Sequence, residues 1–118
     1  MAIPVSEECL FCAIAAGDVP ADVVARNDHA IAFRDINPQA PTHVLVIPVR
    51  HITSAADMGP DDGDVLAPLF ALAAEVAMKE KLDDGWRLVT NVGRGAGQAV
   101  FHLHFHLLGG RSLAWPPG

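Results

Sequence analysis

The sequence is short of basic charge and contains no long hydrophobic run. Its 8 lysine and arginine residues face 14 acidic ones in a chain of 118, which leaves a net charge of −6. Non-specific binding to a nucleic-acid polymer needs a cationic surface, so this composition argues against such a partner. A small phosphorylated ligand stays compatible, because a few N–H groups and imidazoles can hold it. Charged or histidine residues interrupt every apolar segment before it reaches the length of a membrane span.

The sequence also lacks a targeting signal and has little cysteine. Its first eight residues, MAIPVSEE, contain neither the basic region nor the apolar region of a signal peptide, so a cytoplasmic location is expected by default. In a reducing compartment, the spacing Cys9-x-x-Cys12 suggests metal binding or redox chemistry more than a structural disulfide. A hydrophobic content of 51% without repeats, linkers or low-complexity segments predicts a single globular domain over residues 1–118.

Hydrophobic periodicity and turn residues predict an α+β fold. Helical spacing indicates a short helix over residues 8–16, ended by Gly17, and a main helix over residues 61–82. Strand patterns occupy residues 23–26, 29–34, 43–49, 86–92 and 100–108. Short turns between most of the strands predict a five-stranded antiparallel sheet with one main helix and the short N-terminal helix.

Three histidines alternate in the last predicted strand, at His102, His104 and His106. Alternate side chains of a strand share a face, and imidazoles two residues apart are then separated by ~6.7 Å along the strand. That spacing suits a shared phosphate or metal site. The other face is apolar and is expected to pack on the main helix, and it comprises Phe101, Leu103, Phe105 and Leu107.

An imidazole can act as a nucleophile toward phosphorus when an acceptor holds its far nitrogen. The segment before the strand, residues 93–97, contains three glycines whose backbone N–H groups could approach a phosphate closely. Alone, these glycines would indicate only a turn. Their position directly before the three histidines favours a phosphate site.

The histidine strand resembles a known signature. The residues His102–Leu108 resemble the His-φ-His-φ-His-φ-φ motif of the histidine-triad (HIT) superfamily. The flanking segments 97–101, 109–111 and 115–118 are similar to its Hint branch of nucleoside phosphoramidases. Residues 35–43, the pair Ile47-Pro48 and His51 resemble the nucleoside-binding stretch of that branch. The resemblance extends in register over residues 9–118.

This resemblance implies a role for each matching residue. His104 would be the nucleophile that attacks an α-phosphate, and His106 and His43 would support the phosphate and proton transfer. Asp35 would accept the ribose hydroxyls, with Ile36 beside the base. The remaining nucleotide-binding residues would line the phosphate pocket, and they are Asn91, Gly97, Gln98, Ala99 and Val100. Ala99 departs from the branch, which commonly has serine there, so no hydroxyl can assist the leaving group at that position.

The two cysteines allow three interpretations: a redox pair, half of a zinc site, or buried apolar residues. The redox motif expects a βαβ context that this sequence does not begin with. Two thiolates and two imidazoles would complete a tetrahedral zinc shell. Resemblance to zinc-binding members of the superfamily implies the ligands Cys9, Cys12, His51 and His102. The predicted cofactor is therefore structural zinc, with no organic cofactor.

Three functions fit the sequence. The first is a phosphoramidase or related hydrolase acting on purine mononucleotides, which the Gly-Gly-Arg and Trp-Pro-Pro-Gly segments favour. The second is a dinucleoside polyphosphate hydrolase, and the third is a nucleotide-binding regulator with little turnover.

A two-fold homodimer is also expected. A five-stranded sheet with one main helix leaves an edge strand and apolar surface that a second copy would cover. The resemblance implies the same dimer, with the tail around Trp115 reaching the active site of the partner.

Overall fold

A computed structural model describes residues 9–118. Its helices and strands, in chain order, are α1 (Leu10–Ala16), β1 (Val23–Arg26), β2 (Ala30–Arg34), β3 (Thr42–Pro48), α2 (Gly63–Lys79), β4 (Trp86–Val89) and β5 (Phe105–Gly109). The strands form one antiparallel sheet in the order β1-β2-β3-β5-β4. The predicted α+β class, the five-stranded sheet and both helices are confirmed. None of the helices in the described range is long and apolar enough to cross a membrane.

Side-chain alternation in the central strand divides the core between the two helices. Val44 and Val46 of β3 lie on the α2 side of the sheet, in the larger apolar cluster. Leu45 and Ile47 lie on the opposite side, in the cluster that contains Phe11 of α1. Because β3 is buried along its whole length, it supports side chains on both faces. The α1 face is the one that carries the site described below.

Helix α1 is short and capped at both ends. Cys9 is the N-cap, and its Sγ accepts a hydrogen bond from the backbone N–H of Cys12 at 3.2 Å. Gly17 ends the helix with a φ of 84°, a left-handed conformation that glycine adopts without strain. The glycine stop is therefore confirmed. The predicted first residue, Glu8, lies outside the described residues.

The last strand begins five residues later than predicted, at Phe105. In the preceding segment, residues 100–104, alternate backbone carbonyls accept hydrogen bonds from side chains and not from a neighbouring strand. The carbonyl of Val100 accepts from Gln98, that of His102 accepts from the ring of His104, and that of His104 accepts from Thr90. At these carbonyls the side-chain donors take the place of a ladder partner. The segment 100–104 is consequently outside the sheet.

The other strand and helix bounds differ by a few residues. Strand β4 ends at Val89 instead of residue 92, and α2 spans 63–79 instead of 61–82. The predicted apolar face packs on α2 through Leu103, Phe105 and Leu107. Phe101 was wrongly assigned to that face: it is 37% exposed, and its ring lies under the guanidinium of Arg94, 5.1 Å from Cζ.

Candidate active site and metal cluster

Strand register brings two of the predicted catalytic histidines into contact. His43 on β3 pairs with Leu108 on β5, and Leu45 pairs with His106. His43 and His106 are thus diagonal neighbours on the α1 face, a position from which long side chains touch. Nε2 of His43 lies 2.9 Å from Nδ1 of His106. Both side chains line a cavity of about 440 Å³ that also contains Asn91.

The backbone of Gln39 determines how His43 is protonated. Its N–H donates to Nδ1 of His43 at 3.0 Å, so that nitrogen is an acceptor. A neutral imidazole has one N–H, which must then be on Nε2. The Nε2–H faces Nδ1 of His106 and lies 3.4 Å from Oδ2 of Asp35. His106 therefore accepts at Nδ1 and carries its own hydrogen on Nε2.

His104 has the opposite arrangement. Its Nδ1 lies 2.7 Å from the carbonyl oxygen of His102. A carbonyl only accepts, so Nδ1 carries the hydrogen and Nε2 of the neutral ring has the lone pair. Neither Nε2 of His104 nor Nε2 of His106 bonds to the described residues. Because no fully buried side-chain nitrogen of that range lacks a partner, both atoms reach solvent.

The histidine rings converge more closely than an extended strand would allow. The centroids of His104 and His106 are 5.1 Å apart at an interplanar angle of 63°, which is edge contact. The rings are therefore closer than the ~6.7 Å expected along a regular strand, because His104 lies before β5. Phe11 of α1 packs edge-on against His104, with centroids 5.2 Å apart. This contact packs α1 directly against the ring of the predicted nucleophile.

Burial keeps the contacting pair His43 and His106 neutral. Desolvation, with smaller contributions from the nearby His104 and His43, lowers the pKa of His106 to about 4. Desolvation also lowers the pKa of His43, and the opposing effect of Asp35 is smaller. The contact between Asp35 and His43 is accordingly a polar contact to a neutral ring, and not an ion pair. The acceptor role of His43 Nδ1 toward Gln39 supports this assignment, since a protonated ring could not accept.

The two residues predicted to hold the nucleoside lie together in the turn before β3. Oδ1 of Asp35 accepts from the N–H of Asn37 at 2.8 Å, and the backbone N–H of Asp35 donates to the carbonyl of His43 at 3.0 Å. These bonds fix the carboxylate beside the histidines. The neighbouring Ile36 is 101% exposed, so its apolar side chain is free to contact a ligand.

The glycine-rich loop differs from the prediction in how it presents its polar groups. Gln98 is buried: its Oε1 accepts from the N–H of Gly93, and its Nε2 donates to the carbonyls of Thr53 and Val100. Its side chain therefore braces the loop. The backbone N–H groups of Ala99 and Val100 donate to no acceptor in the described chain. Gly97, with a φ of 96°, lies directly against the amide of Asn91.

A second cluster lies where the start of α1 meets His51, which follows β3, and His102, which precedes β5. Sγ of Cys9 lies 3.5 Å from Nδ1 of His51 and 3.3 Å from Nδ1 of His102. Sγ of Cys12 lies 3.2 and 3.4 Å from the same two atoms. The two nitrogens are 3.2 Å apart. The four residues named from the resemblance are thus brought together, and they could hold a metal ion.

The geometry of this cluster fits zinc. Tetrahedral bonds of about 2.3 Å to sulfur and 2.05 Å to nitrogen place S and N ligands about 3.6 Å apart, and two N ligands about 3.3 Å apart. Nε2 of His102 lies 2.9 Å from the carbonyl of Pro48, so Nε2 carries the hydrogen and Nδ1 faces the thiols with its lone pair. Desolvation lowers the pKa of His102 to about 4. A neutral imidazole is the form that binds metal.

Three contributions to the site were not predicted. The N–H of Gln39 sets the His43 tautomer, and the hydroxyl of Thr90 holds the carbonyl of His104 at 2.7 Å. Arg87 lines the cavity of His43 and His106 and donates to the carbonyl of Ala114 in the tail at 3.0 Å. A backbone donor has no side-chain signature, so periodicity and motif analysis could not find Gln39.

Comparisons with known proteins agree with this geometry. The HIT domain family model matches residues 16–113. An uncharacterized HIT-like protein of Synechococcus elongatus is 46% identical over 113 residues, which cover 96% of this chain and 99% of that protein. A HIT family hydrolase from Legionella pneumophila has a crystal structure with a TM-score of 0.91 and 52% identity, covering 94% of this chain and 100% of that one. For a histidine triad nucleotide-binding protein from Candida albicans the TM-score is 0.79 and the identity 32%, over 92% and 83% of the two chains. The chain therefore belongs to the HIT family.

Proposed function

We propose that this protein is a nucleotide hydrolase that cleaves purine nucleoside phosphoramidates at the α-phosphate, through a covalent nucleotidyl-histidine. The observation that carries the proposal is the 2.7 Å hydrogen bond from Nδ1 of His104 to the carbonyl of His102. It leaves the lone pair on Nε2, which reaches solvent beside His106. It also stabilises the positive charge that the ring gains when Nε2 forms a bond.

The reaction has two steps that balance. In the first, Nε2 of His104 forms a bond to the α-phosphorus and the P–N bond of the substrate breaks. The electron pair of that bond leaves with the amine nitrogen, which takes a proton from solvent. In the second, water forms a bond to phosphorus, the P–Nε2 bond breaks and its electron pair returns to His104, while the proton of the water passes to solvent. The products are the nucleoside monophosphate and the free amine.

Donors for the phosphate oxygens come from two directions. The Nε2–H of His106 is held in place because Nδ1 accepts from His43. The backbone N–H groups of Ala99 and Val100 are the other donors. Fixed donors of this kind stabilise negative charge on the oxygens in the transition state without reorganisation. The side chain at position 99 is a methyl group, so no hydroxyl contributes to leaving-group departure there.

The nucleoside would lie over the turn before β3. Oδ2 of Asp35 retains acceptor capacity for ribose hydroxyls beside its contact with His43. The fully exposed Ile36 would be covered by the base. The name of the hydrolase from L. pneumophila supports a hydrolytic reaction, and that of the nucleotide-binding protein from C. albicans supports a nucleotide substrate.

We also assign zinc to Cys9, Cys12, His51 and His102. With all four ligands supplied by the protein, the ion would have no open position and would serve structure alone. It would tie α1, and with it the Phe11 ring that supports His104, to the segment before β5. No step of the reaction passes through it.

A two-fold homodimer would complete the fold. Strand β4 is at one edge of the sheet, and Trp86 in it is 41% exposed. On α2, Phe70 is 44% exposed and stacks edge-on against Phe105 of the same sheet face. Pairing of β4 with the β4 of a second copy would give the backbone groups of this edge strand hydrogen-bond partners and would cover this apolar surface. Within its own chain the tail lines the cavity of His43 and His106 through residues 113, 114 and 116–118.

Trapping the intermediate tests the proposed function. Quenched reactions with an adenosine phosphoramidate labelled in the α-phosphate should leave label on the native protein and on the control His29→Ala, since His29 is exposed and outside the site. His104→Ala should carry no label and should still bind AMP. Turnover by His104→Ala at the native rate would contradict the assignment. Parallel assays with diadenosine polyphosphates distinguish a phosphoramidase from a polyphosphate hydrolase, and no turnover of either substrate would favour a binding protein.

A further inference from the structure

The site contains a second group of atoms with metal-ligand geometry. Nε2 of His43 lies 2.9 Å from Nδ1 of His106 and 3.4 Å from Oδ2 of Asp35, and all three atoms lie within 4.8 Å of one another. Two nitrogen ligands of a tetrahedral zinc ion are about 3.3 Å apart. By distance alone, this cluster is as suitable for a metal ion as for a chain of hydrogen bonds.

The backbone groups behind the two clusters are of opposite kinds. Behind His102 in the cysteine cluster is the carbonyl of Pro48, which takes the ring hydrogen and leaves the lone pair on the nitrogen that faces the thiols. Behind His43 is the N–H of Gln39, which takes the lone pair of Nδ1 and leaves the hydrogen on the nitrogen that faces His106 and Asp35. A protonated nitrogen has no lone pair for a metal.

We propose that the backbone N–H of Gln39 weakens metal binding by the Asp35–His43–His106 cluster and arranges it as a set of hydrogen bonds in which the Nε2–H of His43 faces Asp35 and His106. Gln39 is thus a positioning residue that acts through the tautomer of His43. A metal ion on Nε2 would require the hydrogen of His43 to move to Nδ1, where two N–H groups would then face each other. The bond to Gln39 would be lost as well.

The turn that holds Gln39 is itself fixed. Its carbonyl accepts from Nε of Arg111 at 3.1 Å, and its side-chain Nε2 donates to the carbonyl of Asn37 at 3.0 Å. Close packing adds to these bonds: a Cβ on Gly110 would lie 2.9 Å from Cβ of Pro41. The N–H of Gln39 therefore keeps its direction toward His43.

The first measurement uses the unaltered protein with zinc in the cysteine cluster. Long-range ¹H–¹⁵N correlation spectra of its imidazoles should show His43 with hydrogen on Nε2 and not on Nδ1, and His106 likewise. A spectrum with hydrogen on Nδ1 of His43 would overturn the proposal. This readout does not depend on turnover, so it can fail or succeed separately from the proposed function.

The second measurement uses a matched pair of variants. Gln39→Pro has no backbone N–H, whereas Gln39→Ala keeps the N–H and loses only the side chain. Titration with Ni²⁺ of the zinc-loaded proteins should show a second ion per chain bound five- to tenfold more tightly by Gln39→Pro than by native protein, the ratio expected for loss of one hydrogen bond. Gln39→Ala should match the native protein.

Two controls decide how the titration is interpreted. Adding His106→Ala to Gln39→Pro should abolish the second ion, which locates it in the cluster. Retention of the first zinc shows that the variant is folded. Equal Ni²⁺ affinity of native protein and folded Gln39→Pro would refute the proposal, as would tight binding of a second ion by the native protein. If Gln39→Pro does not fold, the tautomer spectrum of the native protein decides.

Discussion

Replacement of Cys12 by alanine tests the metal cluster without any assay of activity. Sγ of Cys12 lies 3.2 Å from Nδ1 of His51 and 3.4 Å from Nδ1 of His102, so the substitution removes one of four ligands from the centre of the cluster. The remaining thiol and two imidazoles cannot close a four-ligand shell. We expect Cys12→Ala to be purified without zinc, and the native protein to contain one zinc per chain.

The loss of stability can be estimated from linkage. An ion that binds only the folded state adds about 2.7 kcal/mol at 100 times its Kd and about 4.1 kcal/mol at 1,000 times. Unfolding entropy of roughly 2.1 cal/mol/K per residue converts 1 kcal/mol into about 4 °C for a chain of this length. Transfer of the native protein from zinc buffer to chelator should therefore lower its Tm by about 11–16 °C. In zinc buffer, Cys12→Ala should unfold below the native protein by this amount plus about 4 °C for the lost side-chain packing.

Calorimetry at fixed protein concentration provides the four Tm values needed: those of native protein and of Cys12→Ala, each in zinc buffer and in chelator. In chelator, Cys12→Ala and native protein should differ only by the packing of one small buried side chain, about 1 kcal/mol. His29→Ala, at an exposed position, should respond to zinc as the native protein does. Native protein that contains no zinc and has the same Tm in both buffers would refute the metal assignment. The cysteines would then be apolar packing residues.

Four further outcomes are expected. Asp35→Asn should raise KM for ribonucleotide substrates roughly tenfold or more, because a charge-assisted bond to a hydroxyl is worth about 1.5–3 kcal/mol; equal kcat/KM for deoxynucleotides and ribonucleotides in native protein would contradict this role. Because the pKa of His106 is lowered to about 4 in the folded state, the unfolded state takes up a proton first and stability should fall as the pH drops from about 6.5 to 4; denaturant titrations should find part of this sensitivity absent in His106→Gln. Light scattering should give twice the chain mass of 12.5 kDa, and deletion of residues 113–118 should change substrate selectivity without dissociating the dimer; a mass of one chain, or unchanged selectivity, would remove the respective assignment.

Much of the fold could be predicted from local patterns. The hairpin of β1 and β2 follows from two apolar runs around Asn27-Asp28, and the side chain of Asn27 accepts from the N–H groups of His29 and Ala30 to close that turn. The end of α1 at Gly17 follows from the need for a left-handed residue there. Both features depend on residues that are close together in the chain, so they can be predicted from the sequence.

Strand β5 shows where local patterns are insufficient. Alternation of histidine and apolar residues from 100 to 108 is typical of a strand, yet only residues from Phe105 onward pair with β3 and β4. Thr90 competes with the ladder for the carbonyl of His104, and Gln98 for that of Val100. Competition of this kind depends on side chains of other segments, which only the fold brings close to these carbonyls.

By itself, the sequence determined which residue types face each side of the sheet, because a strand alternates its side chains and β3 and β5 alternate in register. It also determined which functional groups the chain contains and where along the chain they occur: thiols near the start, imidazoles near the end and a glycine-rich loop between β4 and β5. Only the tertiary structure decided which of these groups lie together in the metal cluster and which lie together in the candidate active site. His102 joins the cysteines of α1, while His106 contacts His43, and His104 lies edge-on against His106. Their tautomers are set by the carbonyl of Pro48, the carbonyl of His102 and the N–H of Gln39. Every residue has the same backbone groups, so the group that meets a given ring nitrogen depends on the folded path of the chain.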